Sequence, residues 1–358
     1  MKESVFKQKF NEWISYLVSQ NGSDLHLSAG NYPSIRLDNE IIQLQDEEII
    51  PHSGLEKLAE ELLDEKRFKK LKEEKQIDFA LEKKGDYRYR GNFFFHRGVL
   101  SLVLRKLPKS IQDLKELNLP DELYEFVEKR QGLFLVVGPN GHGKSTTLAS
   151  LISYVNRNHK KHILTIEDPI EYVYDNDKSL IEQRGVYEDT LSFNDALKSC
   201  FRQDVDVILV GEMRDKETIA TAITAAETGH IVLGTLHTND AIQTIDRIID
   251  VFPPHQQNQI RSQLANVLNG VASQRLLRKV GGGRIPGVEI LKNNLAVANL
   301  IRQNQIQQIK SVLETSDKEG MVTLEKYLAK LISKGSVETK EAEKYVADLD
   351  SLYNYLGR

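Results

Sequence analysis

A glycine-rich stretch near the middle of the chain, residues 138–147, reads G-P-N-G-H-G-K-S-T-T. Glycine tolerates positive φ and lets the backbone approach a ligand closely, so successive backbone N–H groups of this loop can surround phosphate oxygens. In loops of this pattern the lysine binds the β- and γ-phosphates, and the hydroxyl after it binds Mg²⁺. We therefore predict a site for ATP and Mg²⁺, with Lys144 on the phosphates and Ser145 on the metal. The predicted nucleotide-binding residues are Gly138, Pro139, Asn140, Gly141, His142, Gly143, Lys144, Ser145 and Thr146.

Acidic residues follow two other apolar runs of the chain. Glu212 comes shortly after the apolar run 205–210, which is the Walker B arrangement, and its carboxylate suits the magnesium shell. Glu167, Asp168 and Glu171 lie in the segment TIEDPIE, and a carboxylate of this segment suits the orientation of an attacking water. Acidic residues after strands also serve as helix N-caps, and Asp168 fits that role.

Two histidines, His230 and His237, flank another apolar run. An odd separation of seven residues on one strand turns the two rings to opposite faces, so a shared metal site is disfavoured. We predict that both rings are hydrogen-bonding sensors near the γ-phosphate, and the alternative is a histidine satisfied within the core.

Four arginines lie in a strand-rich N-terminal region: Arg88, Arg90, Arg97 and Arg105. The first two are two residues apart, so on a strand they point the same way. Either these side chains face solvent as spacers, or some of them reach a bound phosphate in the manner of an arginine finger.

Strands and helices alternate around these residues, which predicts a parallel sheet that gathers its ligands at the carboxyl ends of the strands. The predicted strands are 133–137, 162–166, 205–210 and 230–236, and a helix follows the loop from 144 to about 156. The fold class is thus α/β, with a P-loop core, a small α+β N-terminal domain and a helical C-terminal region. Residues 3–19 and 54–75 are predicted to be helical, and from about residue 253 the pattern turns helical apart from a turn at 279–287. The expected divisions are a domain at 1–107, a linker at 108–120, the core at 121–275 and the helical region at 276–358.

The composition restricts the functional classes. A chain of 358 residues with 40% hydrophobic residues is long enough for two domains, and a formal charge of −4 offers no global attraction for nucleic acid or anionic lipid. The single cysteine, Cys200, excludes an intramolecular disulfide and is expected to be buried. Because no apolar run approaches about 20 residues, we predict no transmembrane segment, and any role at a membrane then requires a partner.

The chain resembles the type II/type IV secretion ATPases, and within them the type IV pilus retraction motors. The resemblance rests on GPNGHGKSTTL, HILTIEDPIEY, ILVGEMRD, TAAETGHIVLGTLHT and TIDRIIDVFP. It extends upstream to SDLHLSAGNYPSIRLD and downstream to KVGGGRIPGVEIL, and so covers nearly the whole chain.

The resemblance implies a RecA-like core, a PAS-like N-terminal domain and specific residue roles. Glu171 corresponds to the general base, Glu212 to the Walker B carboxylate that helps to hold Mg²⁺, and His230 and His237 to the His box. The N-terminal arginines correspond to those that contact nucleotide within a hexameric ring. The implied assembly is a cytoplasmic homo-hexamer at the inner face of the cell membrane, which acts on an inner-membrane pilus platform protein. A second pilus motor is a further implied partner.

Two departures from the family pattern stand out. His142 replaces the usual serine of the P-loop, at a position expected to contribute mainly its backbone. The motif AIRNLIRE reads AVANLIRQ, with Ala298 in place of arginine and Gln303 in place of glutamate. The second change leaves catalysis untouched but bears on retraction.

Three alternative functions remain open on the sequence. An extension or secretion motor of the same superfamily is the nearest, although such proteins usually carry a longer N-terminal region and often a tetracysteine zinc site. A nucleic-acid translocase is disfavoured by the modest acidity and the absence of a basic, aromatic-rich patch. A binding-only accessory subunit is disfavoured by the presence of Lys144, Glu171 and Glu212.

Overall fold

The computed structural model describes residues 5–37, 40–82, 87–107 and 110–357, and the chain forms two compact units. The first unit comprises Met1–Ser110 and Pro169–Tyr172, and the second comprises Ile111–Asp168 and Val173–Arg358. The predicted linker begins at Pro108 and Lys109, which lie outside the described residues. Its remaining part from Ile111 belongs to the second unit.

The first unit is an α+β unit whose described strands form a six-stranded antiparallel sheet in the order β3-β2-β1-β6-β5-β4. The strands are β1 (Asp24–Ser28), β2 (Ser34–Leu37), β3 (Glu40–Gln43), β4 (Gln76–Glu82), β5 (Arg88–His96) and β6 (Val99–Lys106). The helices are α1 (Val5–Ser19), α2 (His52–Leu62) and α3 (Glu65–Glu74).

The apolar spacing of the sequence explains how these helices pack. Phe10, Trp13 and Leu17 recur at helical spacing on α1, and all three are buried. The prediction that 54–75 is helical is confirmed over α2 and α3, with a short break between the two helices. Asp64 lies at the break and caps α3, since its side chain accepts a hydrogen bond from the Arg67 N–H at 2.8 Å.

The second unit contains the predicted α/β core with its parallel strands. Its described strands form a seven-stranded sheet in the order β13-β12-β7-β11-β10-β8-β9, in which only β12 and β13 pair antiparallel. The strands are β7 (Gly132–Val137), β8 (His162–Glu167), β9 (Leu180–Gly185), β10 (Val207–Val210), β11 (Ile231–Leu236), β12 (Leu268–Arg278) and β13 (Arg284–Lys292). The helices are α4 (Lys144–Asn158), α5 (Phe193–Cys200), α6 (Lys216–Glu227), α7 (Ala241–Asp250), α8 (Pro254–Val267), α9 (Leu295–Arg302), α10 (Ile309–Thr315), α11 (Leu324–Ser333), α12 (Thr339–Ala342) and α13 (Leu349–Tyr355).

Strand β7 has apolar residues buried on both faces of the sheet. Leu133, Leu135 and Val137 join one hydrophobic cluster, whereas Phe134 and Val136 join another. Burial on both faces is typical of parallel strands covered by helices on each side, and it explains the continuous apolar run in the sequence. The carboxyl ends of β7, β8, β10 and β11 therefore lie at one edge of the sheet.

The prediction that the chain turns helical from about Pro253 is wrong over β12 and β13. These strands form an antiparallel hairpin whose tight turn contains three glycines at positive φ, Gly281, Gly282 and Gly283. The expected boundary at 275/276 passes through β12, and the sheet continues to Lys292. The predicted helical tail is found from Leu295 onward.

Two smaller predictions concern Cys200 and the membrane. Cys200 is buried, and its thiol donates to the Ala196 carbonyl at 3.3 Å. Burial raises the pKa of this thiol to about 11. In the described part of the chain, no helix has the length and apolar character needed to cross a membrane.

Candidate active site

The glycine-rich loop joins the buried strand β7 to helix α4, as the sequence predicted. Gly138, Gly141 and Gly143 all have positive φ, with values of 142°, 76° and 84°. Asn140 and Gly141 are exposed, so the tip of the loop is open to a ligand. The local strand–loop–helix arrangement is that of a phosphate-binding loop.

Lys144 is the first residue of α4, and it is buried although it carries a charge. Its ammonium group donates to the carbonyl oxygens of Gly138 at 2.8 Å and Pro139 at 3.0 Å. These bonds to its own loop satisfy the cation in place of phosphate oxygens. Ser145 is exposed and Thr146 is half-buried at the start of the same helix.

Glu212 is held by the segment that follows β10. The Gly211 N–H donates to the Ile166 carbonyl at 2.8 Å, and the Met213 N–H donates to the Thr235 carbonyl at 3.1 Å. These two bonds attach the segment to the strands on either side of β10. Glu212 therefore projects from the carboxyl edge of the sheet, which is where the sequence placed a Walker B carboxylate.

The carboxylate of Glu212 accepts two short hydrogen bonds. Arg214 Nε donates to its Oε1 at 2.5 Å, and His237 Nε2 donates to the same oxygen at 2.9 Å. Burial alone would raise the pKa of Glu212, but the Arg214 bond and the nearby His237 outweigh it and hold the pKa below its ordinary value. Glu212 is therefore an anion at neutral pH, which is the form in which a carboxylate binds magnesium.

His237 connects Glu212 to the lysine of the P-loop. Its Nδ1 lies 3.2 Å from Lys144 Nζ, and its Nε2 faces Glu212. Because an ammonium group only donates, the tautomer with its hydrogen on Nε2 satisfies both contacts. The structure thus brings together three of the predicted residues, Lys144, Glu212 and His237.

His230 is not part of this group. It precedes β11, whereas His237 follows it, so the two residues lie at opposite ends of the strand, about 23 Å apart along it. His230 Nδ1 lies 3.0 Å from the Ala225 carbonyl, and its ring packs edge-on against Phe201. The prediction of a γ-phosphate sensor at His230 is wrong for the P-loop of the same chain, and the alternative of a locally satisfied histidine describes it better.

Glu171 belongs to the segment Pro169–Tyr172, which clusters with the first unit. Within this unit its Oε1 lies 4.0 Å from Nη1 of Arg90 on β5. Arg105 of β6 stands directly opposite Arg90 in the register, and its Nε donates to the buried Asp24 at 2.7 Å. The structure therefore associates Glu171 with Arg90, while Arg105 is bound by a carboxylate of its own sheet.

The other two arginines occupy different surroundings. Arg88, the first residue of β5, is half-buried. Arg97 is exposed in the turn after β5, with φ of 49°. At about 3.3 Å per residue, that turn lies about 23 Å along the strand from Arg90. The four arginines therefore do not form one cluster.

The remaining carboxylates of TIEDPIE also have defined positions. Glu167 ends β8, and its Oε1 accepts from the Thr165 hydroxyl at 2.7 Å and from the Gln183 amide at 3.2 Å. Asp168 adds to the negative charge near Arg214. In the described structure no helix starts after Asp168, so its interpretation as an N-cap is wrong.

Two residues of the site, Arg214 and Gln274, were not predicted from the sequence. Arg214 follows Glu212 by two residues in GEMRD, and this short spacing was the available signal. Gln274 lies on β12, and its backbone carbonyl would be 2.4 Å from a side chain at Gly138. That contact explains why glycine is required at Gly138, beyond its positive φ of 142°.

The oxygen donors suit magnesium bound together with phosphate. The described residues contain no group of three or more His, Cys, Asp or Glu side chains able to hold a metal ion. Mg²⁺ is usually bound by one or two protein oxygens, water and substrate phosphates rather than by an all-protein cage. Ser145 and Glu212 offer such hard oxygen donors, so the donor chemistry fits Mg²⁺.

A phosphate-binding loop after a central parallel strand, with an anionic carboxylate after a nearby strand, defines a P-loop nucleotide-binding protein with a RecA-like core. The type II/IV secretion system protein family matches residues 4–283. The chain therefore belongs to this family.

Individual relatives agree with this assignment. The chain is 42% identical over 333 residues to the type IV pilus retractation ATPase PilT of Pseudomonas aeruginosa, covering 93% of this chain and 96% of that protein. It is 47% identical over 278 residues to a twitching motility protein of Neisseria gonorrhoeae, covering 77% and 74% of the two chains. The crystal structure of the pilus retraction motor PilT with bound ADP matches with a TM-score of 0.90 and 45% identity, over 99% of this chain and 100% of that one. The resemblance found in the sequence motifs is thereby confirmed.

Proposed function

We propose that this protein is an ATP-hydrolysing motor that powers type IV pilus retraction and hence twitching motility. The observation that carries the proposal is the connected group of Lys144, His237 and Glu212 at the end of the P-loop. The relatives named for pilus retraction and twitching motility supply the cellular role.

ATP hydrolysis uses these residues in separate roles. Lys144 exchanges its bonds to the Gly138 and Pro139 carbonyls for the β- and γ-phosphates. Ser145 and Glu212 would hold Mg²⁺, which would neutralise phosphate charge when bound. His237 orients Glu212 and lies beside the lysine, where it can respond to the γ-phosphate.

The attacking water requires a base, and Glu171 is assigned that role because it occupies the base position of the family motif. Its neighbour Arg90 is a cation on the same unit, and of the four arginines it is the best placed to act together with Glu171. An arginine that contacts the γ-phosphate only when the site closes makes hydrolysis depend on that closure.

The proposed assembly is a homo-hexamer in the cytoplasm at the inner face of the cell membrane. It acts on an inner-membrane pilus platform protein, and a second pilus motor is a further candidate partner. The net charge of −4 gives no support for direct nucleic-acid binding.

The first test uses purified protein. Lys144→Ala should lower ATP turnover by at least about 100-fold, because the cation on the β- and γ-phosphates is lost. Lys160→Ala, at an exposed lysine after α4, is the matched control and should retain the wild-type rate. An unchanged rate for Lys144→Ala would contradict the assignment of the P-loop as the site of ATP hydrolysis.

The second test images pili on cells that lack the protein. Excess pili without twitching supports retraction, whereas an absence of pili shows that the protein is an extension motor.

The extension or secretion alternative is favoured by one feature of α9. Ala298 is buried, at 6% exposure, where the retraction motif has arginine. Gln303 lies exposed at the end of the same helix. Gln303→Glu restores the exposed part of the motif without placing a charge at the buried position 298, and it should leave pilus retraction unchanged if this chain already retracts pili.

A further inference from the structure

The edge of β12 that faces the P-loop is completed by side chains rather than by a strand. Among the described residues, the ladder between β12 and β7 ends at Ser273 and Val137, where β7 runs into the P-loop. The next residues of β12 therefore need other acceptors for the N–H groups that point to that edge.

The backbone N–H of Leu276 is one of the groups that need such an acceptor. The partner of Leu276 across the hairpin is Pro286, which has no N–H, so the two occupy a position where β12 and β13 exchange no hydrogen bonds. The Leu276 N–H therefore points away from β13, and it donates to Nδ1 of His142 at 2.9 Å. Two residues further on, the Arg278 N–H donates to the Glu341 carboxylate at 3.1 Å.

A second side chain fastens the same part of the loop. Gln274 is buried, at 3% exposure, and its amide bonds at both ends. Its Nε2 donates to the His142 carbonyl at 2.8 Å, and its Oε1 accepts from the Thr147 hydroxyl of α4 at 2.7 Å. The fit is close, because a side chain at Gly143 would lie 2.8 Å from Gln274 Nε2 and from Leu276 Cδ1.

The surroundings keep the His142 ring able to accept this bond. Burial lowers the pKa of His142, and the positive charges of Arg275, Lys144 and Arg284 lower it further. The ring is therefore neutral at physiological pH, and its Nδ1 lone pair is available to the Leu276 N–H. Tyr345, in the C-terminal helical region, packs edge-on against the ring, with 6.0 Å between the centroids.

We propose that His142 is a positioning residue whose imidazole, together with Gln274, fixes the tip of the P-loop to β12 in the conformation that receives phosphate. The sequence expectation that position 142 contributes mainly backbone is then incomplete for this chain. A preformed loop loses less conformational freedom when the nucleotide binds, so the effect falls on affinity. This inference rests on the proposed function in that the bound ligand is a nucleotide.

The test compares substitutions at His142 with one at Tyr345, using a fluorescent ADP analogue for affinity and ATP turnover for kcat and KM. His142→Ala removes the acceptor and should weaken ADP binding about five- to tenfold, as expected for one lost hydrogen bond. KM for ATP should rise with kcat unchanged at saturation. His142→Asn places an oxygen near the position of Nδ1 and should restore affinity to within about twofold.

The Tyr345→Ala variant separates ring packing from the hydrogen bond. It should retain wild-type ADP affinity, because the Leu276 N–H keeps its acceptor. Wild-type affinity in His142→Ala, or equal weakening in His142→Ala and His142→Asn, would overturn the proposal. Amide hydrogen exchange at Leu276 is a readout that does not depend on activity. It should be faster in His142→Ala than in the wild type, and it should return to the wild-type rate in His142→Asn. If the wild-type protein binds ADP in this pattern but does not hydrolyse ATP, the proposed function fails and the positioning role stands.

Discussion

The ammonium nitrogen of Lys144 lies 3.2 Å from Nδ1 of His237. The opposite ring nitrogen of His237 lies 2.9 Å from Glu212, so the imidazole joins the phosphate-binding lysine to the predicted magnesium ligand. These residues are 93 and 25 positions apart along the chain, and the adjacent strands β7, β11 and β10 bring them to one edge. A change in phosphate contact at Lys144 can thereby reach Glu212 through a single ring.

His237→Ala should lower kcat by about 10- to 100-fold, because Glu212 loses its oriented donor and Lys144 loses a neighbour. His230→Ala is the matched control and should stay within about threefold of wild type, since His230 lies at the other end of β11. Steady-state ATPase rates of both variants measure the difference. Equal losses in the two variants would contradict the placement of His230 outside the site.

Glu171→Gln should lower kcat by at least about 100-fold while ADP affinity is retained, because a general base is lost and the P-loop is not altered. Glu167→Gln is the control in the same segment, since that carboxylate is already engaged by Thr165 and Gln183. Single-turnover hydrolysis and ADP titration distinguish chemistry from binding. A wild-type rate in Glu171→Gln would contradict this assignment and show that another carboxylate is the general base.

Arg90→Ala should lower ATP turnover by at least about tenfold, because Arg90 is the candidate finger that lies beside Glu171. Arg97→Ala should leave turnover near wild type, since Arg97 is exposed in the turn at the far end of β5. Assays on assembled protein, with the oligomeric state checked by light scattering, make the comparison. The reverse pattern would assign the finger to Arg97.

Glu289 makes stability depend on pH. Burial raises its pKa to about 7, with Asp240 and Glu325 adding to the rise, while the bond from the Ala241 N–H and the charge of Arg275 oppose it. Between the ordinary pKa of 4.5 and about 7, the folded protein binds more protons at this group than the unfolded chain, so stability falls as pH rises. Glu289→Gln should therefore stabilise the fold by about 2 kcal/mol more at pH 8 than at pH 5.

Urea unfolding at the two pH values measures this difference. Glu314→Gln makes the same chemical change at an exposed glutamate of α10 and serves as the control. An equal gain for Glu289→Gln at both pH values would show that the Glu289 carboxyl does not titrate in this range.

The nucleotide-binding loop was predictable because its determinants are local. A buried strand, three glycines at fixed spacing and a helix that starts at Lys144 are consecutive in the chain, and the structure places them as predicted. Glu212 was predictable for the same reason, since it lies two residues after the end of the apolar strand β10. The parallel arrangement follows from the alternation of strands and helices, because such connections return each strand in the same direction.

The hairpin of β12 and β13 was not predictable in this way. Strand β12 follows α8 without an intervening break, and its residues are buried on both faces, so it shows no alternation that distinguishes a strand from a buried helix. The segment forms a strand because it pairs with β7, which lies more than 100 residues earlier in the chain.

By itself, the sequence determined the chemistry available to this protein: a phosphate-binding loop, its lysine, a Walker B carboxylate and the family to which they belong. Only the tertiary structure decided which histidine joins the site, which arginine lies beside Glu171 and what holds the P-loop tip at His142. The reason is physical. Residue types and short spacings fix local backbone conformation, whereas hydrogen bonds between distant segments depend on strand order and register, which the whole chain sets when it packs its core.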